Sequence, residues 1–148
     1  MINEFNTLEV AVADLSATAD VLTFTPGVPI DVVRWGLVVT TVIVGAPVIA
    51  ADKRITAGSD TGRVNAAGGT LTPGTLAAGK GGYIEAENFA AGNKPLEINP
   101  GEQFILEVTT GATSGAGTVF VEYKQKPFQS GSAAAANDRL THMTEFTA

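Results

Sequence analysis

Ile30 to Val44, IDVVRWGLVVTTVIV, is the longest apolar, β-branched run of the chain. Valine, isoleucine and threonine are stiff at χ1 and pack well on a pleated surface. Up to Val39 the odd positions carry Val33, Trp35, Leu37 and Val39, and the even ones include Arg34 and Gly36. That alternation predicts a half-buried strand with Trp35 turned inward. From Val38 onward both faces are apolar or neutral. The second half is therefore expected to be covered on both sides, by a second sheet, a partner chain or both.

Outward from this run the chain breaks into short strands and turns. On its N-terminal side, Pro29 fits a strand start, and Pro26-Gly27 is a turn signal because proline presets φ and glycine accepts positive φ. Val21 to Thr25 reads as a short strand and Asp14 to Asp20 as a polar connection. Leu8, Val10 and Val12 alternate with Glu9, Ala11 and Ala13, which predicts a first strand. On the C-terminal side Gly45-Ala46-Pro47 ends the run. Val48 to Thr56 follows as another strand, with Ala51 and Asp52 expected to turn it toward solvent. Ala57 to Thr75 is rich in Gly, Ser, Asn, Asp and Thr and reads as loop, with a short strand near Thr70 to Thr72. Leu76 to Gly82 is another loop. Tyr83 to Glu87 alternates as a strand, and Leu96 to Ile98 is a short one.

Asn99-Pro100-Gly101-Glu102 is the sharpest turn signal in the chain. Beyond it Phe104, Leu106 and Val108 share one face of Gln103 to Thr110. Val119, Val121 and Tyr123 share one face of Thr118 to Gln125. These two segments read as the best hairpin of the sequence. About eight short strands with turns between them, and no helical periodicity in the body, predict an all-β sandwich. A jelly roll is the first choice and an immunoglobulin-like sandwich the second, since one tryptophan without cysteines supports the latter weakly.

The chain of 148 residues is long enough to bury a core in one domain. That domain is placed at residues 7–127, between an N-terminal arm, 1–6, and a low-complexity C-terminal arm, 128–148. In the latter, SGSAAAA precedes Leu140, Met143 and Phe146 at three-residue spacing. The absence of cysteine removes disulfides, thiolate metal sites and cysteine nucleophiles together. A net charge of −6 repels phosphate backbones and disfavours nucleic acid. MINEFNTLEV has no basic or apolar signal region, so no export signal is expected. Residues 35–51 lack charge, but Gly45, Pro47 and the flanking alternation mark strand rather than membrane span.

Each candidate for chemistry has a plainer explanation. The single histidine, His142, lies in the tail, a poor place for the rigid imidazole of a triad or for a multi-histidine zinc site. GTLAAGKG, Gly74 to Gly81, nearly matches a phosphate-binding loop. It lacks the preceding buried strand, the hydroxyl residue that holds magnesium and the following helix. Glu85 and Glu87 stand two apart on one predicted strand face, the pairing a glycosidase needs, yet no other group converges on them. Asp52 and Asp60 offer oxygen ligands for calcium without the spacing of a known loop. Lys53-Arg54 is a small basic step suited to a solvated loop or an acidic partner. Tyr83, Phe89 and Phe128 suit core edges better than a sugar site. No catalytic residue, metal or cofactor is assigned.

TPGVPIDVVRWGLVVTT, INPGEQFILEVTT and GTVFVEYKQ before a low-complexity tail resemble the small cement, or decoration, proteins of tailed-bacteriophage heads. The resemblance covers roughly Val21 to Gln125. It implies a β-sandwich or jelly-roll body on the outer capsid surface, a homotrimer at three-fold positions, and arms that clamp neighbouring copies of the major capsid protein. It implies no catalytic residues, so no enzyme is expected, and the charge and patterning above argue against nucleic-acid and membrane partners. Met1, Ile2, Phe5, Phe128, Leu140, Met143 and Phe146 become the candidate contacts with the shell. A carbohydrate- or host-binding jelly roll of a phage fibre or surface protein is the alternative, using loop aromatics and the loop from Asp52 to Asn65.

Overall fold

A computed structural model describes residues 5–89 and 94–126. Among these residues are nine strands: β1 (Asn6–Val12), β2 (Ala19–Phe24), β3 (Ile30–Val44), β4 (Val48–Arg54), β5 (Thr70–Leu71), β6 (Gly81–Glu85), β7 (Leu96–Ile98), β8 (Gln103–Thr110) and β9 (Ser114–Gln125). One 3-10 turn, Ala86–Asn88, follows β6.

The pairing is nested and antiparallel. β1 pairs with β9, β2 with β8, β3 with both β6 and β7, and β4 with β5. Two cross-pairings, β3 with β9 and β4 with β8, close the arrangement into sheets. Sheet A runs β1-β9-β3-β6, with β7 also beside β3, and sheet B runs β2-β8-β4-β5. The winding divides the strands between two facing sheets, with β4 and β5 both in sheet B and β6 and β7 both in sheet A, and the expected all-β sandwich is what the chain forms.

The two sheets enclose one core. Trp35, Leu37, Val39 and Ile43 of β3 face Phe104, Leu106 and Val108 of β8, with Val119 and Val121 of β9 beside them, all at 1% exposure or less. Trp35 sits wholly buried, and its indole Nε1–H donates to the Gly68 carbonyl at 2.7 Å, so its one polar atom is satisfied. Gly68 must be glycine to come that close. A Cβ there would meet the Ala51 methyl at 2.8 Å.

Four readings change. A bulge between Val32 and Arg34 resets β3, so Ile30 and Val32 point inward before it, Trp35, Leu37 and Val39 after it, and Val33 does not join them. The second half of β3 is covered on one face only. Val38, Val42 and Val44 remain 44%, 46% and 45% exposed. Ala51 and Asp52 do not turn to solvent but are buried, because the loop after β4 folds back over them. β8 and β9 are not a hairpin. Residues 111–113 carry the chain from sheet B to sheet A, the Thr113 N–H donating to the Val44 carbonyl at 2.8 Å. Each strand has an apolar face suited to either sheet, so alternation alone does not choose its neighbour. The Asn99–Glu102 turn holds as expected, with the Glu102 N–H donating to Asn99 O at 2.9 Å and Gly101 at φ 91°. It too links the two sheets.

Candidate functional site

The outer faces of the two sheets differ in chemistry. On sheet B the outward positions are Asp20 of β2, Ile105 and Glu107 of β8, and Ala50, Asp52 and Arg54 of β4. The β4–β8 register places Asp52 against Ile105 and Ala50 against Glu107. The loop between β4 and β5 returns along β4, where Val64 and Lys53 exchange backbone hydrogen bonds of 2.7 and 3.0 Å. That return lays the Arg63 side chain across the sheet. Its guanidinium donates to Asp52 Oδ2 at 2.7 Å, Asp20 Oδ1 at 2.9 Å, Asp60 Oδ1 at 3.1 Å and Glu107 Oε1 at 3.2 Å. Asp52, 1% exposed, also accepts the Ala66 N–H at 2.7 Å. That bond holds Ala66 in the left-handed region at φ 55° and aims the following turn at Trp35.

Arg54 adds a second guanidinium, donating to Asp60 Oδ1 at 2.8 Å and Gln103 Oε1 at 2.7 Å. Four carboxylates thus meet two guanidinium groups, two negative charges in excess. Burial, and then the neighbouring Asp52 carboxyl, push the Glu107 pKa up. Hydrogen bonds from Arg54 and Arg63 hold that of Asp60 down. The open groove beside this cluster measures about 610 Å³ and is lined by Asn65, Thr70 and Thr109 as well as the acids. Calcium at Asp52 and Asp60 is not what this geometry favours, because arginines already occupy the facing oxygens. Among the described residues no group of three or more acidic or histidine side chains is arranged to hold a metal.

Sheet A is different. Toward the start of β3, Arg34 makes a two-pronged bond to Glu122, both contacts at 3.0 Å, lies 3.8 Å from Glu85, and sits 5.1 Å from the Tyr83 ring centre. Beyond Gly36 the outward row of β3 is Val38, Thr40, Val42 and Val44, all exposed and uncharged. β9 sets Phe120 opposite Gly36 and Thr118 opposite Val38, and β6 sets Tyr83 opposite Gly36. Gly36 has no room for a side chain, since a Cβ would lie 2.2 Å from the Gly82 carbonyl oxygen. A neutral strip with Tyr83 at its margin, 55% exposed, is the result, its pairing with β9 interrupted between Val39 and Thr41 and between Thr41 and Val44.

The remaining sequence candidates fall as follows. Gly74 to Lys80 is a loop that runs into β6 at Gly81, not into a helix. Gly79 and Lys80 hydrogen-bond to Val39 at 2.8 Å, so this loop sheathes the edge of β3 past β6. Glu87 lies in the 3-10 turn rather than on β6, so it does not share a strand face with Glu85. Both line a shallow groove of about 410 Å³ with Phe5, Arg34 and Glu122. Phe89 is core, 3% exposed. Lys53 and Arg54 belong to β4, and Lys53 is bound by Glu102 at 3.2 Å and the Glu97 carbonyl at 2.9 Å. Of the expected shell contacts only Phe5 is described, and it is 60% exposed. Met1, Ile2, Phe128, Leu140, Met143 and Phe146, and also His142, lie outside the described residues.

Residue patterns singled out Asp52 and Asp60 but missed Arg63, Asp20 and Glu107. The available signal was alternation. It places Asp20 and Glu107 on the solvent side of β2 and β8, with an arginine in the loop that must cross between them. No known protein family matches the chain, and neither does any curated protein or solved structure. No helix among the described residues is long and apolar enough to cross a membrane.

Proposed function

We propose that this chain is a structural virion protein, a decoration protein that binds the outer surface of a phage capsid as an oligomer and stabilises the shell. The neutral strip of Val38, Thr40, Val42 and Val44 is the observation that carries this reading. Exposed apolar surface gathered in one row favours contact with another protein, on a chain that is net acidic. Repeated on every copy around a symmetric lattice, a weak contact becomes a strong clamp without any chemistry. The acidic body suits the outer side of a shell better than the DNA-lined side. The termini, Met1 to Asn6 and Phe128 to Ala148, are the further contacts proposed.

The test is to add purified chain to capsids that lack it. Binding that saturates, and shells that then resist heating better, are the expected results. A chain that stays in the supernatant at saturating concentration refutes the reading. The carbohydrate-binding alternative keeps one supporting feature, the polar groove beside Asn65. Its proposed aromatic, Tyr83, lies on the opposite sheet, so the groove alone would have to hold the sugar. Glycan-array binding lost on Asn65→Ala would favour it.

A further inference from the structure

An outer strand of a sheet presents unpaired N–H and C=O groups and invites another strand unless it is blunted. Three edges of this sandwich are blunted. β2 carries a register shift between Asp20 and Leu22, β5 is two residues long, and β6 has five residues, begins with two glycines and runs straight into the 3-10 turn. β1 is not blunted. Its seven residues run in unbroken register from Asn6 opposite Tyr123 to Val12 opposite Gly117, with no proline and one charge, Glu9. Among the described residues no backbone group is hydrogen-bonded to its outer edge. The side chains behind that edge are also incompletely covered, since Leu8 and Val10 pack on the core yet stay half-buried.

We infer that β1 pairs antiparallel with β1 of a second copy about a two-fold axis at Val10, so that sheet A continues from one molecule into the next. Directly opposite residues of an antiparallel pair share a face. Centred on Val10, Leu8 meets Val12 of the second copy and Val10 meets its counterpart, so the inner row is apolar throughout. The outer row sets Glu9 against Ala11 of the second copy, and no like charges oppose. Centring on Glu9 would set two carboxylates face to face, which is destabilising. Centring on Leu8 would bring Asn6 onto the apolar row. An isologous contact of this kind uses one patch twice. An arbitrary extended peptide would satisfy the edge backbone, but the strand's own sequence satisfies backbone, apolar row and charge row together. The pairing does not depend on the shell reading, and it gives a dimer where the decoration-protein resemblance implies a trimer.

Sedimentation velocity of the full chain from about 5 to 200 µM, spanning the affinities such small interfaces reach, tests the pairing. Ala11 is exposed and faces outward, so it accepts either charge without disturbing the core. The wild type is expected to dimerise. Ala11→Lys, which meets Glu9 twice across the axis, should tighten the dimer roughly fivefold to tenfold, and Ala11→Glu should loosen it by as much. A monomer throughout, a trimer, or a dimer that the two substitutions fail to shift in opposite directions overturns the inference. A trimer would leave the decoration reading standing. A dimer that behaves as expected but does not bind shells would remove that reading alone.

Discussion

Trp35 and Asp52 hold the same loop from two sides. The indole bonds the Gly68 carbonyl while the carboxylate bonds the Ala66 N–H and Arg63, so residues 63–69 are fixed to the core and to the outer face at once. Trp35→Phe leaves a buried carbonyl without its donor and opens space, and should cost about 2–4 kcal/mol by denaturant midpoint. Asp52→Ala strips a buried partner from Arg63 and Ala66 and should cost about 3 kcal/mol, whereas Asp60→Ala, at an exposed carboxylate, should shift the midpoint far less. The cluster also sets a pH response. The Glu107 pKa lies above its ordinary 4.5 because of burial and the Asp52 carboxyl, and Asp60 lies below its ordinary 3.8 because of Arg54 and Arg63. A raised carboxyl prefers the protonated folded form, so its contribution improves as pH falls through the raised pKa. A depressed one contributes fully above its ordinary value and loses that contribution as pH falls through the depressed pKa. Glu107→Gln should therefore be more stable than wild type at neutral pH, with the difference closing as the wild type takes up its proton. Thermal melts of the two proteins from about pH 7 to 3 check this, and a wild type that melts higher at neutral pH contradicts it.

At the scale of elements, the long run that begins at Ile30 was legible to the residue as β3 because β-branched side chains and a bounding proline and glycine say the same thing. β7 was equally legible, and so was the Asn99–Glu102 turn. Strand partners were not. Period-two alternation says which side chains share a face, never which strand lies alongside, so β8 and β9 looked like a hairpin although they lie in different sheets. The bulge after Val32 was hidden for a related reason, because an inserted residue shifts parity without changing composition. Ala51 and Asp52 were misplaced because the cover over them comes from a loop that carries no periodic signal. The outer row of β3 has its own test. Val42→Lys together with Val44→Lys adds charge at exposed positions, so stability should move by about 0.5 kcal/mol or less per site. Binding to shells should fall at least tenfold if this row is the contact, and unchanged binding would move the contact elsewhere.

For the whole molecule, nested pairing puts a charged lattice on one side and a neutral strip on the other. The arginine-centred side ties loop to sheet within the chain, and every Arg63 donor group is spent on the chain's own carboxylates or held among them. The strip beyond Gly36 has no such internal partner among the described residues, which makes it the side left for another molecule. Fold class could be read from the sequence because alternation and turn chemistry are local. The split between the two faces could not, since it arises from which strands the winding brings together. The most direct measurement is the copy number of this chain in purified particles of the virus proposed to encode it, taken relative to the major shell protein. A fixed ratio, set by lattice symmetry and retained through density-gradient purification, is the predicted result. Particles that purify without the chain, or with amounts that vary from preparation to preparation, would contradict the account.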